Sequence, residues 1–68
     1  MSRILKPRLK QLRDRSRLSQ EEVSILTGYD VTTVSKHENG TRRLTDEAVR
    51  RYAKVYKCET HELFVKLD

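Results

Sequence analysis

Two helical segments separated by only three residues, Gly28-Tyr29-Asp30, constrain this chain more than any other feature. Ser19 precedes Gln20-Glu21-Glu22, a serine cap with a glutamate three residues on, and the pattern predicts a capping box that opens a helix. That helix is expected to bury Val23 and Leu26 and to end at Gly28, where the left-handed conformation favours glycine. Asp30 is a good cap for the next helix, which carries Val31 and Val34 and stops at Asn39-Gly40. Each helix is about eight residues long, and so short a link forces them to cross at a large angle, the helix-turn-helix arrangement. Ser24 and Gly28 supply small residues where the two approach.

The flanking segments also read as helices. Leu5, Leu9 and Leu12 recur at i, i+4 and i+7, predicting a first helix from about 6 to 16 with Pro7 in its first turn. Thr45 caps a fourth helix whose first turn holds Asp46 and Glu47, where the macrodipole favours carboxylates. Its apolar face is Ala48-Val49, Tyr52-Ala53 and Val55-Tyr56. A short last helix is expected from Glu59 or Thr60, carrying Leu63, Phe64 and Leu67. No repeat appears and no strand-like alternation is sustained. The expected fold is all-α, a compact five-helix bundle, with residues 1–68 forming a single domain.

Size bounds the function. A chain of 68 residues buries roughly 60% of its unfolded surface, enough for one modest core and little room for a catalytic cavity. The longest apolar run, Leu63-Phe64-Val65, is far short of the ~20 residues that span a bilayer. No signal-peptide apolar region follows Met1, and the single Cys58 cannot form an internal disulfide. A cytoplasmic protein without membrane contact is expected.

Charge supplies the first positive clue to a partner. The net charge is +5 and the pI is about 9.7. Residues 3–17 hold seven Lys and Arg against Asp14 alone, and residues 41–57 hold Arg42, Arg43, Arg50, Arg51, Lys54 and Lys57 against Asp46 and Glu47. The middle of the chain is acidic on balance. A polyanion, most often nucleic acid, fits this distribution, although scattered cations also make an ordinary solvated surface.

Helical geometry separates two faces on the helix after Asp30. At about 100° per residue, Val31, Thr32, Ser35 and Lys36 share one arc, and Val34 and His37 lie opposite. With Val34 inward, the first set points out, a face suited to a major groove. Lysine donates to guanine O6 and N7, threonine reaches several base edges, and valine can meet the thymine methyl. A solvent-facing stripe is the plainer alternative, since one exposed valine is unremarkable.

Leu18 to Val23, then Thr27-Gly28, then Thr33 to Gly40 together resemble the helix-turn-helix of the Cro/cI phage-repressor family (XRE-like). Ala53 and Glu62-Leu63-Phe64 match the later helices, so the resemblance covers nearly the whole chain. It implies a five-helix bundle of the phage-repressor type that binds a double-stranded DNA operator, usually as a homodimer. Val31, Thr32 and Lys36 inherit base contacts, and so does Ser35. Gln20 matches a residue at a helix start that faces a phosphate. Asn39, Thr41, Arg42 and Arg43 match positions on the sugar-phosphate backbone, and Arg13 and Glu38 match a structural pair. Three positions depart from the family pattern. Tyr29 replaces a smaller apolar residue and either covers the turn or reaches a phosphate through its hydroxyl. His37 stands where a large apolar residue is common, which predicts a weaker local core. Lys57 stands where glycine often ends the fourth helix.

The remaining chemistry is sparse. Cys58-x-x-His61 is half a zinc pattern with no second pair, so neither metal nor cofactor is expected. Cys58 and His61 lack the third group and the pocket that nucleophilic catalysis needs, so no enzyme is expected. The arginine-rich first helix lacks the aromatic platform of RNA modules. Two function classes remain: a transcriptional regulator, specifically a repressor, whose dimer interface uses Leu63, Phe64, Val65 and Leu67; and a protein-interaction module on the same scaffold. No inducer domain is apparent, so regulation would come from concentration, a protein partner or DNA topology.

Overall fold

The computed structural model describes the backbone of residues 4–67 and the side chains of residues 7–64. Its elements in chain order are strand β1 (Ile4–Pro7), helices α1 (Leu9–Arg15), α2 (Gln20–Thr27), α3 (Val31–Asn39) and α4 (Asp46–Tyr56), a 3-10 turn (Thr60–Leu63) and strand β2 (Phe64–Leu67). None of these helices is long and apolar enough to cross a membrane.

The helix starts follow the capping chemistry. Ser19 accepts from the Glu22 N–H at 3.0 Å while Glu22 accepts from the Ser19 N–H at 2.8 Å, closing the capping box of α2. Asp30 accepts from the Thr33 N–H at 3.2 Å, and Thr45 from the Ala48 N–H at 3.1 Å. Gly28 ends α2 at φ 85°, and a Cβ there would stand 3.0 Å from an Arg51 guanidinium nitrogen. The left-handed backbone therefore requires glycine at this turn, whereas the nearby Arg51 tip is the end of a flexible side chain that can yield.

The core draws on every helix. Leu9 and Leu12 of α1, Val23 of α2, Val34 of α3, and Ala48, Tyr52, Ala53 and Tyr56 of α4 are buried together with Leu63. One expected core residue is not among them. Leu26 is 58% exposed, and Thr27 is buried in its place. The Thr27 hydroxyl donates to the Val23 carbonyl at 2.8 Å and accepts from the Tyr29 N–H at 3.3 Å. Those bonds tie the turn back onto α2 and rotate Thr27 inward, which leaves Leu26 outside.

The helical bundle is as expected, but the two ends of the chain correct the five-helix expectation. There are four α-helices among the described residues, and β1 and β2 form an antiparallel ribbon with Pro7 opposite Phe64. The expected last helix is one 3-10 turn followed by a strand. Leu63-Phe64-Val65 suits a pleated surface, and a final helix of about eight residues is marginal in isolation. The ribbon continues inward through Arg8 N–H to the Leu63 carbonyl at 2.7 Å. Pro7 consequently sits at the end of a strand rather than in the first turn of α1. A two-stranded ribbon has only edges, where a proline lacking its N–H is tolerated. The side chains of Leu5, Val65 and Leu67 lie outside the described residues.

Lys57 closes α4 in the left-handed region at φ 52°, ψ 49°. A side chain there costs about 1–2 kcal/mol, whereas glycine adds roughly 0.4–1 kcal/mol of unfolded-chain entropy. Lys57→Gly is therefore expected to stabilise the protein by about 0.5–1 kcal/mol. A urea titration checks it, with the midpoint rising and the slope unchanged.

Candidate nucleic-acid interface

The outward arc of α3 is built by what its other side buries. Val34 and His37 are buried, Ser35 is half-buried, and Val31, Thr32 and Lys36 are exposed. Lys36 lies in the last turn of α3, and Val31 and Thr32 in its first. Beyond Gly40 the chain turns through a loop held by Asn39, whose side-chain oxygen accepts from the Thr41 N–H at 2.9 Å and the Thr41 hydroxyl at 2.7 Å. The Arg42 N–H donates to the Lys36 carbonyl at 3.2 Å. Arg42 and Arg43 follow directly and are exposed. The loop thus continues the cationic edge that Lys36 begins.

Glu38 lies at the border of this arc, with its side chain turned into the protein and 6% exposed. Its carboxylate accepts from Arg13 Nε at 2.6 Å and Arg13 Nη2 at 3.3 Å, and from Gln20 Nε2 at 3.0 Å. Arg13 also donates to the Leu18 carbonyl at 3.1 Å. The hydrogen bond to Glu38 raises the Arg13 pKa further above its ordinary value, in spite of burial, so its charge is permanent. Gln20, which the resemblance directs toward a phosphate, is thereby bound to α3 through one amide hydrogen. The link between Gln20 and Glu38 carries no sequence signal of its own, because it depends on the crossing of α2 and α3.

His37 corrects the expectation of a weakened core. Its Nδ1 and the Tyr52 hydroxyl share a hydrogen bond of 2.8 Å, and its ring meets Tyr29 and Tyr52 edge-on at 5.3 and 5.5 Å. Tyr29 covers the turn and carries the Arg51 guanidinium 5.3 Å above its ring. Arg51 in turn donates to the Thr27 carbonyl at 2.6 Å, capping the end of α2. Neither the Arg51 cap nor the imidazole-phenol bond follows from local sequence pattern. The only hints were two tyrosines four apart on α4 and a Glu47-Arg51 pair at the same spacing. Cys58 is half-buried, and burial raises its thiol pKa, with Glu62 and Glu59 adding to the effect. Among the described residues, no group of three or more His, Cys, Asp or Glu could hold a metal ion.

A helix-turn-helix domain model matches residues 7–64 of the sequence. The chain belongs to the helix-turn-helix family, of the Cro/cI type. This helix-turn-helix protein is similar to the restriction-modification controller protein C.AhdI from Aeromonas hydrophila, seen in a high-resolution crystal structure. The identity is 35% and the TM-score 0.79, over 84% of this chain and 86% of that one. No curated protein matches the sequence. Family and fold together make it a DNA-binding transcription regulator.

Two outcomes follow from this seating of α3. Glu38→Ala leaves a guanidinium, 14% exposed, without its carboxylate. A loss of about 1–3 kcal/mol is expected in urea unfolding, with little change in DNA base preference. Burial, and secondarily the charge of Arg42, lowers the His37 pKa below its ordinary 6.5. The unfolded chain then binds the proton more readily, so stability is complete above pH 6.5 and declines as the pH falls below it. Thermal melts from pH 7.5 to 5.5 are expected to show this decline in the parent and to lose it in His37→Phe.

Proposed function

We propose that this helix-turn-helix protein represses transcription by binding operator DNA as a two-fold dimer, with α3 in the major groove. Residues 1–68 act as one DNA-binding unit in the cytoplasm. The observation that carries the reading is the exposed arc Val31-Thr32-Lys36, bordered by half-buried Ser35 and continued by Arg42 and Arg43. Lys36, Thr32, Ser35 and Val31 read base edges, while Arg42, Arg43, Thr41 and Asn39 follow the phosphates. Gln20 retains a second amide hydrogen for a phosphate at the start of α2, and Tyr29 supports the turn between the two helices. A bound dimer blocks the promoter it covers. Similarity to a restriction-modification controller supports a regulator of that class.

Dimerisation follows from affinity. One such unit buries roughly 600–1,000 Å² of its surface, and pairing two half-sites multiplies a limited affinity. Half-site centres about 10–10.5 bp apart, or a multiple of that, bring both α3 helices onto one side of the duplex. Leu63 is fully buried within the protomer. It therefore has no surface to offer a partner, and a C-terminal interface would rest on Phe64 and the residues after it.

Selection from a random duplex pool defines the site, and binding curves at several salt concentrations then test the assignment. Lys36→Ala is expected to cost about 1–3 kcal/mol on the selected site and to relax choice at one base pair per half-site. Arg42→Ala or Arg43→Ala is expected to weaken every sequence alike, lowering the salt slope by about one phosphate per subunit. Uniform weakening by Lys36→Ala would reject this reading face. Sedimentation on a symmetric site that shows monomers alone would reject the dimer.

A further inference from the structure

An open groove between the C-terminal ends of α2 and α4 is lined by Leu26, Thr27, Arg51, Lys54, Val55 and Lys57 and has a volume of about 550 Å³. It lies at the opposite end of α2 from Gln20. Its floor is apolar: Leu26 is 58% exposed beside half-buried Val55, and Ile25, 82% exposed, extends the apolar surface along α2. Scattered exposed apolar residues are ordinary, but here Leu26 lines a groove and exposed Ile25 adjoins it in the chain.

The rim is cationic throughout. Arg51, Lys54 and Lys57 are exposed, and no carboxylate lines the groove. Arg51 is held in place by the Thr27 carbonyl, by Glu47 at 3.2 Å and by the Tyr29 ring. A guanidinium already ordered in this way fixes the edge of the groove. Lys54 and Lys57 over an apolar floor, beside an Arg51 already paired with Glu47, match a ligand that is both anionic and apolar. A nucleic-acid backbone supplies the charge but leaves the floor unused. A second copy of this chain, with 15 Lys and Arg against 10 Asp and Glu, is the poorer match to this rim, and the proposed dimer uses its C-terminal surface instead.

We propose that this groove docks an acidic amphipathic segment of a partner protein. An apolar side chain sits between Leu26 and Val55, with flanking carboxylates on Lys54 and Lys57. The surface is separate from α3 and does not depend on the DNA reading.

The probe is a synthetic helical peptide with leucines at i, i+4 and i+7 flanked by Asp and Glu, titrated into the isotope-labelled full chain and followed by NMR. A scrambled peptide of equal composition, a random DNA duplex and sedimentation of the free protein are run in parallel. Saturable shifts centred on Leu26, Lys54, Val55 and Lys57 are expected, with binding about tenfold weaker in Leu26→Ser and in Lys54→Glu. Leu26 and Lys54 are exposed, so neither substitution disturbs the core, and the NMR spectrum of each variant verifies its fold. Absence of binding, equal binding of the scrambled peptide, or shifts centred on α3 would overturn the proposal. So would a Leu26→Ser variant that turns a dimer into a monomer, which makes the groove a self-interface. Loss of duplex affinity in Lys54→Glu without peptide binding assigns the rim to DNA and likewise overturns it.

Discussion

The Glu38 carboxylate receives hydrogen bonds from Arg13 of α1 and Gln20 of α2, and the seating of α3 depends on them. A helix of nine residues has too few internal bonds to persist alone, so its form and its orientation both come from packing. Val34 supplies the apolar contact, but one buried valine permits rotation about the helix axis. A carboxylate with donors on two sides does not. The same atoms that hold α3 against α1 also fix the start of α2, so the crossing of the two motif helices and their position on the bundle are a single arrangement.

His37 and Tyr52 complete the seat from the opposite direction. Tyr52 has no exposed surface, and its hydroxyl finds in the imidazole the partner that a buried phenol requires. Burial raises the Tyr52 pKa above its ordinary value, favouring the neutral phenol. Tyr29 packs against the same two rings, at 5.3 Å from His37 and 6.1 Å from Tyr52. The turn, α3 and α4 are thereby joined through aromatic edges rather than through aliphatic packing. Polar and aromatic contacts are more directional than methyl packing, which is what a short helix presenting a defined face needs.

The legible part of the sequence was local. Ser19, Asp30 and Thr45 announce helix starts because a cap acts on N–H groups two or three residues away, and Gly28 announces an end for an equally local steric reason. The outward arc of α3 could be drawn because 3.6-residue periodicity needs only one inward residue, Val34, to set the phase. The misreadings involve partners distant in the chain. Ile4–Pro7 pairs with Phe64–Leu67 across almost the full length of the sequence, and short apolar runs such as Leu63-Phe64-Val65 fit helix or strand equally well. Leu26 is exposed because the Thr27 hydroxyl serves the turn, and His37 is buried because Tyr52 reaches it from α4. Neither partner is visible in a periodicity.

These contacts divide the molecule along α2. At its first turn, Gln20 reaches Glu38 and leads toward the proposed DNA face; at its last, Thr27 receives Arg51 and the surface becomes the apolar groove. Eight residues at 1.5 Å each separate the two ends by only about 12 Å. Arg51 nevertheless gives them different characters. Its guanidinium is tied to the Thr27 carbonyl, Glu47 and the Tyr29 ring, so its position is set by the fold before any ligand arrives. Arg42 and Arg43, by contrast, are exposed on a loop whose bonds, among the described residues, come from Asn39, Thr41 and backbone groups. In the proposed complex a phosphate backbone met at several points suits exposed cations such as these, whereas a single docking groove is bounded by one already in place.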